Sequence, residues 1–142
     1  MRDNHAMRSR LLVVPVILLA LLAAGCTSTK EVGVDAGEVT VEKGQTLVVD
    51  LGAVNSSIGD SWYLIETGDR AVLGEGDRNF DSDCKGGAVG CGGTLTYEFE
   101  AVGAGQTRLV FKYCYRSGPT DCDPGPGRGP AEPRTITVTV KA

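Results

Sequence analysis

Nucleophilic and acid–base catalysis need a proton acceptor poised near neutral pH, and histidine is the side chain that most often supplies it. The 142-residue chain carries one histidine, His5, ahead of an apolar run that reads as a cleaved leader. Once that leader is gone, a Ser-His-Asp triad, a Cys-His pair and an imidazole metal site are all out of reach. Asp81 and Asp83 are spaced as a carboxylate pair, but no base or metal ligand accompanies them. The run Asp77-Arg78-Asn79-Phe80-Asp81-Ser82-Asp83 places oxygen ligands at alternate positions, as calcium loops do. It lacks the glycine at position six and the glutamate at position twelve, so it reads as a solvated acidic loop. The five cysteines, Cys26, Cys84, Cys91, Cys114 and Cys122, have no Cys-x-x-Cys spacing that would favour a thiolate zinc site. These residue types predict a protein that is not an enzyme and uses no metal or cofactor.

The elements that must carry the remaining residues begin with an export signal. Arg2, Arg8 and Arg10 precede an apolar run over residues 11–24, broken once by Pro15. That run is short of the ~20 apolar residues a bilayer span needs and suits a secretory core instead. It closes Leu22-Ala23-Ala24-Gly25-Cys26, which resembles a bacterial lipobox. The expected product is a chain cut after Gly25 and lipidated on Cys26. Residues 26–36 then read as the modified cysteine and a short polar tether. Met7 is an alternative start within the same signal. The expected location is a cell membrane or outer envelope, lipid-anchored and outside the cytoplasm. Cleavage removes Arg2, Arg8, Arg10 and Asp3, leaving 11 basic and 17 acidic side chains. An acidic domain without a Lys/Arg cluster excludes nucleic acid as the expected partner.

Four cysteines remain in an oxidising compartment, an even number. Of the three possible pairings, the local ones, Cys84–Cys91 and Cys114–Cys122, are favoured. Each would close a glycine-rich loop and contribute about 2–3 kcal/mol by chain entropy.

Between the loops the chain reads as short strands. Val39-Thr40-Val41 alternates, and residues 46–51 follow as a largely buried strand. Residues 61–66 form another, and Ala71-Val72-Leu73 a short one. Residues 94–101 alternate strictly, with Leu95, Tyr97, Phe99 and Ala101 on one face. After a Gly103-Ala104-Gly105 turn, residues 108–113 are expected to return antiparallel to them. Residues 134–140 close the chain with Ile136, Val138 and Val140 inward. About seven short strands, 20 glycines and only 6% aromatic residues predict an all-β, immunoglobulin-like antiparallel β-sandwich over residues 37–142, with an aliphatic core and no helix of useful length. Three long loops punctuate it, over residues 52–60, 74–93 and 116–133. In a sandwich such loops can gather at one end, as antibody loops do. The Pro/Gly-rich run over residues 124–130 reads as an irregular insertion.

The loops carry a family resemblance. Asn55-Ser56-Ser57-Ile58-Gly59-Asp60-Ser61-Trp62 resembles the Asn-Pro-Thr-Thr-Gly-Tyr/Phe-x-Trp segment of the chagasin family of cysteine-peptidase inhibitors. Gly90-Cys91-Gly92-Gly93-Thr94 resembles that family's Gly-x-Gly-Gly motif. The third motif, Arg-Pro-Trp, falls at Tyr113-Cys114-Tyr115 in an ungapped reading, with Arg116 next to it. The departures are Ser56 for the proline, Ile58 for the second threonine, Asp60 for the aromatic and the missing Arg-Pro-Trp.

The resemblance implies a reversible inhibitor of papain-like cysteine peptidases that inserts three loops into the active-site cleft. Asn55, Ser56, Ser57, Ile58, Gly59 and Asp60 would form the first loop. Gly90, Cys91, Gly92 and Gly93 would lie along the cleft by backbone contact, and Tyr113, Tyr115 and Arg116 would supply the third. Trp62 is expected in the core. The chain is expected to act as a monomer. The competing expectation is a non-inhibitory immunoglobulin-like module for adhesion or envelope assembly.

Overall fold

The computed structural model describes residues 27–127 and 131–142. The expected signal at 1–25, the expected lipidation site Cys26 and residues 128–130 of the Pro/Gly-rich run lie outside the described residues. Among the described residues, eight strands form two four-stranded sheets. They are β1 (Thr29–Gly33), β2 (Glu38–Glu42), β3 (Thr46–Val54), β4 (Ser61–Glu66), β5 (Asp77–Ser82), β6 (Gly93–Glu100), β7 (Gly105–Cys114) and β8 (Arg134–Lys141). One sheet runs β1-β3-β6-β5 and the other β2-β8-β7-β4.

Alternation decides what each strand buries. Leu47, Val49 and Leu51 of β3 and Leu95 and Phe99 of β6 point inward from one sheet. Val39 and Val41 of β2, Leu109 and Phe111 of β7, and Ile136, Val138 and Val140 of β8 meet them from the other. Each buried aliphatic side chain contributes about 1.5–3 kcal/mol relative to exposure. The Tyr97 ring crosses the interface, its centroid 5.6 Å from that of Phe111, edge to face. Trp62 is half-buried and packs against this core, as expected.

The sandwich is the expected fold, but five details differ. Residues 29–33 are a strand and not a tether: β1 pairs in parallel with β3 from Thr29↔Thr46 to Gly33↔Asp50. A single inward Val32 among polar neighbours leaves no apolar alternation to mark it. β2 also pairs in parallel, with β8, so the sheets are mixed and not antiparallel throughout. Strands β6 and β7 do not pair. The segment between them crosses from one sheet to the other, pinned by Val102 and Gly103 N–H groups donating to the Val72 carbonyl. Ala71-Val72-Leu73 is a turn, not a strand, held by the Asp69 carboxylate and carbonyl, with Leu73 fully buried and bridged to Ala101.

Finally, residues 77–82 form edge strand β5, exposed on both faces, and not an acidic loop. Same-face neighbours on a strand stand about 7 Å apart. Asp77, Asn79 and Asp81 therefore spread along β5 and cannot encircle one calcium ion at 2.3–2.6 Å.

A tether could be removed without effect, whereas a strand could not. Deleting residues 27–33 would strip Val32 from the core and unpair the β3 edge, costing roughly 2–3 kcal/mol. Thermal unfolding of the deleted and complete domains measures this directly; equal midpoints would return residues 29–33 to the tether.

Candidate functional site

Strand register brings the three loops together. Val54, at the end of β3, is paired with Gly93, at the start of β6, and Gly93 in turn with Ser82. On the facing sheet, Ser61 is paired with Cys114. The segments 55–60, 83–92 and 115–127 therefore leave the sandwich at the same end. A bulge interrupts β3 between Asp50 and Ala53, braced by the Gly52 N–H donating to Asp50 Oδ1 at 2.7 Å.

The first loop is held by its own side chains. Asn55 caps a single 3₁₀ turn, Ser56–Ile58: its Oδ1 accepts from the Ser57 N–H at 3.1 Å and its carbonyl from the Ile58 N–H at 3.1 Å. Asp60 closes the loop. Its Oδ1 accepts from the Asn55 N–H at 2.6 Å, and its Oδ2 accepts from the Tyr113 hydroxyl at 2.8 Å. Hydrogen bonds to an ionised carboxylate are about twice as strong as neutral ones. This leaves Ser56, Ser57, Ile58 and Gly59 exposed at the tip.

The second loop is the tip of the β5–β6 hairpin. The Asp83 N–H donates to the Gly92 carbonyl at 3.1 Å, and the Cys84–Cys91 disulfide lies just inside that closure. Asn55 reaches across from the first loop, its Nδ2 donating to the Gly90 carbonyl at 3.1 Å. Two glycines are required by close approach. Gly92 has φ 78°, and a Cβ there would stand 2.9 Å from the Val54 carbonyl oxygen. A Cβ on Gly93 would run into the Asp81 carbonyl and the Phe80 ring.

The third loop is closed by the Cys114–Cys122 disulfide and by the Tyr115 N–H donating to the Asp123 carbonyl at 2.7 Å. Both local disulfides are thus the ones favoured by spacing. Arg116 follows with φ 51°, the one non-glycine residue in the left-handed region among the described residues. Its guanidinium lies 5.1 Å from the Tyr115 ring centroid. A Cβ placed on Gly59 of the first loop would stand 3.3 Å from Arg116 Cα, so the first and third loops also abut.

The expected site residues therefore share one edge, with distinct placements. Tyr113 belongs to β7, not to the third loop. Its ring packs edge-to-face on Trp62 at 5.6 Å while its hydroxyl holds Asp60. Tyr115 is half-buried, with Gly125 of the Pro/Gly-rich run passing over it. Three residues that no sequence motif assigns to the site join it. Arg78, Tyr63 and Tyr97 line a groove of about 310 Å³ with Ser56, Gly59, Asp60 and Ser61. Arg78 Nη2 donates to Ser61 Oγ at 3.2 Å, linking edge strand β5 to edge strand β4. Tyr63 steadies the third loop by donating to the Ser117 carbonyl at 3.2 Å. No motif marked these residues, because their positions depend on which strands become edges.

The model of the family described as "Chagasin family peptidase inhibitor I42" matches residues 40–140. The chain belongs to the chagasin family. Members of this family are peptidase inhibitors and not enzymes. Solved structures agree on the fold. The solution structure of amebosin is 18% identical with a TM-score of 0.55, over 80% of this chain and 98% of amebosin. The crystal structure of the cysteine protease inhibitor EhICP2 from Entamoeba histolytica is 12% identical with a TM-score of 0.57, over 80% and 96%. PbICP-C, solved in complex with falcipain-2, is 15% identical with a TM-score of 0.50, over 81% and 92%. No curated protein sequence matches the chain significantly.

At the family's aromatic position after the loop glycine, this chagasin relative uses Asp60 as a latch. Tyr113→Phe should cost about 1 kcal/mol and Asp60→Ala about 2 kcal/mol, since the latter strands two donors. The double variant should be no less stable than Asp60→Ala alone. A double-mutant cycle by denaturant unfolding reads this out; strictly additive losses would rule out the latch. Gly93→Ala should cost about 1–3 kcal/mol by forcing β5 away from β6, visible as a lowered unfolding midpoint.

Proposed function

We propose that the chain is an exported lipoprotein, cut after Gly25 and anchored through Cys26, that reversibly inhibits papain-like cysteine peptidases. The observation that carries this reading is the junction of three loops at one end of the sandwich. Asn55 orders the first loop and bonds the second, and Gly59 of the first abuts Arg116 of the third. Binding by such an edge loses little entropy, because the loops are ordered before the target arrives.

The division of labour follows from the residue types. The exposed 3₁₀ turn with Ser57 would sit over the catalytic centre of the peptidase. The segment Gly90-Cys91-Gly92-Gly93 would lie along the cleft, offering backbone groups with little side chain to obstruct them. Tyr115, stiffened by Arg116 and the nearby disulfide, would stack on the enzyme surface. Tyr113 and Asp60 act indirectly, by holding the first loop in shape. Inhibition needs no reaction, only occupancy of the cleft by a surface that offers no well-placed scissile bond. The family match and the falcipain-2 complex of PbICP-C support this choice of target.

Titrating the protein against papain-like cysteine peptidases tests the reading. Inhibition is expected, and Ser57→Ala, Gly92→Val and Tyr115→Ala should each weaken it about tenfold or more. No inhibition at high molar excess would instead favour a non-inhibitory immunoglobulin-like module. Metabolic labelling with a fatty acid should mark the chain and be lost in Cys26→Ser; label retained in that variant would remove the lipoprotein assignment.

A further inference from the structure

Two disulfides close the second and third loops, and they differ in access. Cys114 is fully buried, which shields its bond to Cys122 on that side. Cys91, in contrast, is exposed, and its partner Cys84 is half-buried. The Cys84–Cys91 bond also lies close to the first loop. A Cβ placed on Gly90 would stand 3.9 Å from Ser57 Oγ, and the Gly90 carbonyl accepts from Asn55 Nδ2. Cys91 is the next residue, one Cα step of about 3.8 Å further. Its neighbours Gly90, Gly92 and Gly93 have no side chain to screen it. The two sulfurs are not equivalent. Cys84 Sγ accepts from the Cys91 N–H at 3.4 Å, and Lys85 follows Cys84 in the chain. A hydrogen bond and a neighbouring cation both favour a thiolate. Cys84 is therefore the better leaving group, and Cys91 the sulfur open to attack.

We propose that the Cys84–Cys91 disulfide is a thiol-exchange site for the catalytic thiolate of the target peptidase. The proposal rests on the inhibitory reading above, which sets Ser57 over the catalytic centre, and adds a covalent step to it. A papain-like nucleophile is a histidine-paired thiolate at neutral pH. The enzyme sulfur attacks Cys91 Sγ along the S–S axis. A new S–S bond forms between the enzyme and Cys91, the Cys84–Cys91 bond breaks, and its electron pair leaves on Cys84 as a thiolate. One disulfide replaces another, so there is no net oxidation or reduction and no outside oxidant takes part. Return of the Cys84 thiolate onto Cys91 Sγ expels the enzyme thiolate, so the capture is reversible.

The test uses the full chain in detergent and a papain-like peptidase that it inhibits, activated and then freed of reductant. After mixing, free thiols are blocked with iodoacetamide and intact masses are read without reduction. A one-to-one adduct is expected, with peptide mapping placing the enzyme's catalytic cysteine on Cys91 and the alkyl group on Cys84. Dithiothreitol should release the adduct, and enzyme alkylated at its catalytic cysteine beforehand should form none. Docking supplies an effective concentration in the millimolar range, so free cysteine at the enzyme's micromolar concentration should react about 100-fold more slowly. Cys84→Ser, which leaves Cys91 as a thiol with no bond to exchange, should give no adduct. Inhibition without an adduct would overturn the exchange and leave the inhibitory reading standing. An adduct on Cys84, or one formed no faster than with free cysteine, would also overturn it, since neither reflects a directed attack on Cys91. A chain that inhibits no papain-like peptidase would overturn the inhibitory reading itself, and the exchange with it.

Discussion

Phe99 and Phe111 belong to opposite sheets, both essentially inaccessible to solvent, and the Tyr97 ring lies against the two of them, joining the sheets. With three phenylalanines and one tryptophan in the whole chain, this contact is the bulkiest the core can make. It fixes the separation and relative setting of the sheets, and the aliphatic residues of β2, β3 and β8 fill in around it. Everything at the loop end depends on that setting. Tyr97 is also a wall of the groove beneath the first loop, so one ring belongs both to the core and to the site.

Polar contacts then convert a fixed pair of sheets into a fixed set of loops. The carboxylate of Asp60 takes two donors, one from its own loop and one from a strand of the facing sheet's interior register. Asn55 uses its oxygen within the first loop and its nitrogen on the second. These are short-range, directional bonds at positions where an apolar contact would hold distance but not orientation. Arg116 shows the other side of the same economy. A non-glycine residue at φ 51° costs of order 1–3 kcal/mol, and the Cys114–Cys122 disulfide and the Tyr115 bond to Asp123 surround it with constraints that sustain it.

The strands that bury one face were legible, because alternation is a direct imprint of half-burial. Leu95, Tyr97, Phe99 and Ala101, and Ile136, Val138 and Val140, announce themselves in this way. β5 is exposed on both faces and β1 buries little, so neither leaves an imprint, and by sequence the one resembles an acidic loop and the other a polar tether. The supposed hairpin of β6 and β7 failed for a different reason. A short glycine-containing link between two apolar strands looks the same whether the chain turns within a sheet or crosses between sheets; the neighbouring Val72 carbonyl decides it, through a contact from a distant part of the chain. At the site, the loop motifs located Asn55, Gly92 and Gly93, while the carboxylate latch needed the pairing of Ser61 with Cys114 to bring Tyr113 near Asp60.

The parallel pairing of β1 with β3 also sets a direction for the whole domain. Both strands begin at the pole opposite the three loops, where the Thr46 N–H donates to the Ser28 carbonyl. The nine residues of β3 then run the length of the sandwich, about 30 Å at 3.3 Å per residue. A lipid on Cys26 would leave only Thr27 and Ser28 as slack before the fold begins. Such a molecule would stand as a short, upright pedestal, its loops facing away from the bilayer at a height set by its own length. Its capture radius would then be a matter of lateral diffusion in the membrane plane, with almost no contribution from a swinging stalk.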